Sequence, residues 1–113
     1  MQVHPLDPAS DVPPFEQLRA QIAGRAARGD LPAGTRLPTV RALAEQLGLA
    51  ANTVAKAYRA LEADGVVVTE GRRGTAISGA STDARQAATA YVATAHRLDL
   101  TLAEAVRLVE ESW

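Results

Sequence analysis

The stretch Leu37-Pro-Thr-Val-Arg-Ala-Leu-Ala-Glu-Gln-Leu-Gly48, running on through Leu49-Ala-Ala-Asn-Thr-Val-Ala-Lys-Ala-Tyr-Arg-Ala-Leu-Glu62, constrains this chain most. Apolar residues recur at helical spacing on both sides of a single glycine. Val40, Leu43, Ala44 and Leu47 make one stripe; Val54, Ala57, Tyr58 and Leu61 make the next. Thr39 stands where its hydroxyl can cap the first helix, and Gly48 ends that helix after about two turns. The pattern predicts two short helices packed around a tight turn, with Leu49 plugging the corner. Thr53, Lys56 and Arg59 fall largely on the face of the second helix that the core does not need.

The flanking segments extend this pair into a small, mainly α fold with one β-hairpin. A helix begins near Pro14, a residue suited to a first turn, and carries Phe15, Leu18, Ile22 and Ala26 inward until Gly29. Asp30-Leu-Pro-Ala-Gly-Thr35 reads as a turn cluster. Val66–Thr69 is a β-branched run, and extended character resumes at 75–78 after a flexible Gly71-Arg-Arg-Gly74 loop, so the two runs predict an antiparallel hairpin. A joint at Gly79-Ala-Ser81 precedes a fourth helix from about Asp83 to Arg97, and Thr101-Leu-Ala-Glu104 has the form of a capping box opening a fifth. The organisation expected is an irregular arm over 1–12, a folded unit over 13–79 and a two-helix segment over 80–113.

Composition supports helices and a thin core. Apolar residues make up 47% of the chain but aromatics only 4%, so the core is built from Leu, Val, Ile and Ala. Such a core is expected to gain further burial by oligomerisation. The tail offers the surface for it: Tyr91, Val92, Ala95, Leu102, Val106, Val109 and Trp113 are the candidate contacts between two copies. No cysteine is present, which excludes disulfides and thiol chemistry and fits a reducing, cytoplasmic setting. The N-terminal residues do not look like a signal peptide. No run nears the roughly 20 apolar residues that span a bilayer, so no membrane partner is expected.

The outer face of the second helix of the pair suits DNA. A helix entering the major groove needs small or hydrogen-bonding residues at its start, and Ala51, Asn52 and Thr53 provide them. Lys56 and Arg59 lie further along; Arg41 sits in the preceding helix, and Arg36 and Thr39 flank its start. Arg72, Arg73, Gly74 and Thr75 form a basic hairpin tip able to grip phosphate or enter the minor groove. The net charge of −1 is no obstacle, because residues 1–80 hold nine Lys/Arg against eight Asp/Glu whereas residues 81–113 hold three against five.

Leu31-Pro-Ala-Gly-Thr-Arg-Leu-Pro-Thr-Val-Arg-Ala-Leu-Ala44, Asn52-Thr-Val-Ala-Lys-Ala-Tyr-Arg-Ala-Leu-Glu62, Asp64-Gly65 and Arg73-Gly-Thr75 together resemble the GntR family of bacterial transcription regulators over about residues 13–78. The short helical tail is similar to its YtrA-type subgroup. The resemblance implies a winged helix-turn-helix followed by a two-helix dimerisation segment, in a homodimeric repressor, and a symmetric dimer in turn implies a palindromic operator. It also implies DNA contact by Arg41, by Asn52 and Thr53, and by the wing at 72–75. Where the family has Ser/Thr-Arg or Asn-Pro, this chain has Ala50-Ala51, so a helix cap and a base-reading arginine are missing. Base readout should shift to Asn52, Thr53 and methyl contacts.

Other readings carry less. His4 and His96 pair with no Ser or Asp at a catalytic spacing, no ligand cluster suggests a metal, and no glycine loop suggests a nucleotide cofactor. The chain is therefore expected to be no enzyme and to need no cofactor. A winged-helix protein-interaction module, or a regulator gated by a small effector at the dimer interface, remain the alternatives. Alignment of Arg41, Lys56, Arg59, Arg72 and Arg73 on one face would separate DNA binding from protein binding.

Overall fold

Leu18, Ile22 and Ala26 lie on one side of the first helix, α1 (Pro14–Ala27), and all three are buried. In the computed structural model, which describes residues 3–79 and 84–113, that side packs against α3 (Ala51–Ala63). α2 (Val40–Leu47) packs on α3 as well, through Leu43 and Ala44. α3 supplies the centre of the core with Val54, Ala57, Tyr58 and Leu61, all buried. Each helix thus turns its apolar stripe inward, as helical spacing dictates.

The turn between α2 and α3 is fixed by two local devices. Thr39 Oγ1 accepts from the amide of Ala42 at 3.1 Å, satisfying one of the bare donors at the start of α2. Gly48 then adopts a left-handed conformation with φ 66°, and its amide bonds back to Glu45. A side chain there would be strained, so glycine ends α2 and swings the chain into α3. Leu49 packs against the core at the corner.

After α3 the chain forms a hairpin of β1 (Val67–Thr69) and β2 (Thr75–Ile77), paired Val67 to Ile77 and Thr69 to Thr75. Val67 and Ile77 point into the core. The connecting Gly71–Arg73 is a single 3-10 turn rather than the flexible loop expected. A third extended segment, missed in the sequence, lies beside β2. Leu37 N donates to Thr75 O and Ile77 N donates to Thr35 O, both at 2.8 Å. The tail of the 30–35 turn cluster is therefore strand-like, and it leads directly into α2.

The N-terminal arm has no regular structure but is anchored. Val3 is buried in the core. Gln21 Oε1 accepts from the amide of His4 at 2.8 Å, and its Nε2 donates to the His4 carbonyl at 3.2 Å. One turn earlier on α1, Gln17 accepts from Asp7 N at 2.8 Å and donates to the carbonyls of Asp7 and Val12. Two glutamines at i, i+4 thus grip the arm's backbone much as a neighbouring strand would.

Beyond the hairpin, α4 (Ala84–Arg97) and α5 (Leu102–Ser112) form a helical pair. The expected joint, apart from Gly79, and the expected helix start at Asp83 lie outside the described residues. Thr101 and Glu104 form the capping box foreseen, and the Thr101 amide and hydroxyl hold the Glu104 carboxyl below its usual range. Tyr91 donates its hydroxyl to the Ala105 carbonyl at 2.7 Å, tying α4 to α5, and Ala95 and Ala105 are the buried residues of the two helices. The radius of gyration is 16.9 Å, against about 13 Å for a compact chain of this length. No described helix is long and apolar enough to cross a membrane.

Candidate nucleic-acid interface

The inward residues of α3 fix what faces outward. With 100° between successive residues, Asn52, Lys56 and Arg59 form a stripe opposite Val54, Ala57, Tyr58 and Leu61, and all three are exposed. Ala51, at the first helical position, is also exposed, whereas Thr53 turns to the flank and is half-buried. Ala50 provides no side-chain cap, so the first amides of α3 lack the oxygen that Ser or Thr would aim at them. The absence of bulk leaves the backbone at this end of the helix free to approach a surface closely.

α3 is held in place by contacts along its length. Tyr58 donates its hydroxyl to the Pro38 carbonyl at 2.7 Å, tying α3 to the entry of α2. Burial pushes the Tyr58 phenol up to about 12, so it stays a protonated donor throughout the neutral range. On α2, Arg41 is exposed beside Thr39, whose own hydroxyl is engaged in the cap.

The hairpin tip is braced from two sides. The Arg36 guanidinium donates to the Arg73 carbonyl and lies 3.5 Å from the Glu70 carboxylate. Thr69 donates its hydroxyl to Glu62 near the end of α3. Arg36 is thereby engaged with the hairpin's backbone and acid group. Gly71 and Gly74, with φ 59° and 85°, allow the reversal at the tip. The Arg72 and Arg73 side chains are exposed. Among the described residues, no ion pair neutralises Arg41, Lys56, Arg59, Arg72 or Arg73.

A cleft of about 200 Å³ separates α3 from the hairpin, lined by Arg59, Glu62, Thr69 and Thr75 together with Val40 and Tyr58. Thr75 and Arg59, both singled out in the sequence, thus share one depression. Lys56 stands on the other side of the stripe, its Nζ 4.0 Å from the centroid of the Phe15 ring on α1. That pairing joins residues far apart in sequence, and no local spacing announces it.

The tail residues separate into two groups. Ala95 is buried within the chain's own helical pair, and Tyr91 is half-buried with its hydroxyl engaged. Val92, Leu102, Val106, Val109 and Trp113 are exposed, Leu102 at 80% and Trp113 completely. Among the described residues no group of His, Cys, Asp or Glu could hold a metal ion.

Comparison with known proteins places this geometry in context. The family model described as "Bacterial regulatory proteins, gntR family" matches residues 8–77. The HTH-type transcriptional regulator Rv1152 of Mycobacterium tuberculosis is 53% identical over 105 residues, covering 90% of this chain and 87% of that protein. The HTH-type transcriptional repressor YtrA of Bacillus subtilis is 41% identical over 73 residues, covering 65% of this chain and 56% of that protein. Among solved structures, YtrA from Sulfolobus acidocaldarius, described as a GntR-family transcription factor, superposes with a TM-score of 0.62 at 32% identity. That match covers 79% of this chain and 94% of the other.

Proposed function

Because the chain belongs to the gntR family of bacterial regulatory proteins, we propose that it is a DNA-binding transcription regulator, acting as a homodimeric repressor on a palindromic operator. In this reading α3 enters the major groove and the wing tip, residues 71–74, lies alongside. The observation that carries it is the exposed stripe Asn52–Lys56–Arg59 on α3, set beside a hairpin whose two arginines are exposed and unpaired by any described acid. Residues 13–79 act as the DNA-binding unit and residues 80–113 as the dimerisation segment. Half-sites then lie about one helical turn apart, since a twofold protein presents its two recognition helices to one side of the duplex. The repressor role rests on the likeness to the B. subtilis repressor.

Asn52 is assigned to a base edge, with Thr53, Ala51 and Arg59 nearby and Arg41, Arg72, Arg73 and Thr75 on the backbone. An amide at this position can bond an adenine in two places, so its loss should act at one operator position. Binding of the DNA upstream of the chain's own gene is the test. Asn52→Ala should cost about 1–3 kcal/mol on that DNA and relax the preference at a single base pair. A loss spread equally over all sequences would make Asn52 a phosphate contact instead.

A further inference from the structure

Lys56 is the one cation of the α3 stripe that stands over an aromatic ring. Its ammonium lies 4.0 Å from the centre of Phe15, within the range in which a cation is attracted to the ring's negative face. Phe15 is itself fixed, because it sits in the first turn of α1 and packs against the core. Lysine has a flexible four-carbon stem and loses rotamer freedom when held in one place. A ring anchored in the core can offset part of that loss before any partner arrives.

We propose that Phe15 is a positioning residue that holds the Lys56 ammonium at the DNA-facing edge of α3, ready to meet a backbone phosphate. The inference rests on the DNA-binding reading above and extends it to α1, which carries no candidate contact of its own. The cation keeps most of its charge available while over the ring, because a π-face neutralises far less than a carboxylate does. A phosphate approaching from the groove side can then share the ammonium with the ring, and less ordering of the lysine is left for that moment.

The test uses the full chain and a mixed-sequence DNA duplex of about three helical turns, since a lysine–phosphate contact does not depend on sequence. Phe15→Leu keeps an apolar side chain against the core and removes the π-face. It should weaken duplex binding about two- to fivefold. Phe15→Trp should restore it. Lys56→Ala should lower the salt slope by about one unit. In the Lys56→Ala background Phe15→Leu should have no further effect, because the group it positions is gone. The Lys56 ε-methylene protons should also show a ring-current upfield shift in the parent chain that Phe15→Leu abolishes. Equal losses from Phe15→Leu in both backgrounds would show a merely structural role and overturn the inference, as would an unshifted Lys56 resonance. A parent chain that binds no duplex at low salt would overturn the DNA reading itself, and this inference with it.

Discussion

Replacing Leu102 and Val106 by Glu is expected to convert the protein to a monomer in sedimentation and to weaken operator binding by about a hundredfold or more. Both side chains lie on the exposed stripe of α5, Leu102 at 80% and Val106 at 45% exposure. Val109 and the fully exposed Trp113 continue the same stripe at helical spacing. Within one chain the helical pair buries little beyond Ala95 and Ala105. Covering a Leu or Val side chain is worth about 1.5–3 kcal/mol, and an identical face on a second copy can cover all of them at once through a twofold axis. Two charges on that face leave uncompensated carboxylates in the interface. The cost then reaches DNA, because a dimer binds its second half-site at an effective concentration that a monomer lacks. Neither residue belongs to the core around α1, α2 and α3, so thermal unfolding of that part should be unchanged. A double variant that still sediments as a dimer would place the interface elsewhere.

Removing the wing's charge is expected to act through salt rather than through sequence. Arg72→Ala with Arg73→Ala should reduce the slope of log K against log salt by about 0.9 per lost phosphate contact. If both arginines contact phosphate, affinity near 0.1 M salt should fall roughly tenfold to a hundredfold on every duplex. The fold should survive, because both side chains are exposed and Arg36 grips the carbonyl of Arg73 rather than its guanidinium. The hairpin register and the Thr69–Glu62 bond also stay. An unchanged slope with unchanged affinity would remove the wing from the interface.

What could be read in the sequence was what is decided locally. Thr39 and Gly48 bound α2 through contacts within four residues, and the Thr101–Glu104 box does the same for α5. The stripes of α1, α2 and α3 follow from spacing alone, and most of their residues are buried as expected, while Phe15, Val40 and Leu47 are half-buried at the edge of the core. The same arithmetic exposes Lys56 and Arg59 as expected, but it sets Asn52 rather than Thr53 in their stripe, since Thr53 lies on the flank and is half-buried. The third extended segment at 35–37 was hidden because its partner strand is about 40 residues away and its own pairing is short. The arm looked loose because proline-rich sequence has no period, while its anchors are the side chains of Gln17 and Gln21 on another element. Arg36 and Arg73 look alike in sequence, yet one guanidinium braces the hairpin and the other is exposed at its tip. Ala95 and Trp113 were both candidate contacts between two copies, but only the folding of α4 beside α5 reveals that the chain buries Ala95 by itself and leaves Trp113 exposed.

The central claim, that α3 lies in the major groove of DNA, can be tested by tethered cleavage. The chain has no cysteine, so one introduced thiol can carry an iron chelate at a chosen position. Ala63→Cys places the chelate at the far end of the exposed α3 stripe, and Glu111→Cys places it on the exposed side of α5. On the DNA upstream of the gene, the position-63 chelate should cut at two clusters about one helical turn apart, and the position-111 chelate should leave the same DNA uncut. Cleavage from position 111 with none from position 63 would contradict the account.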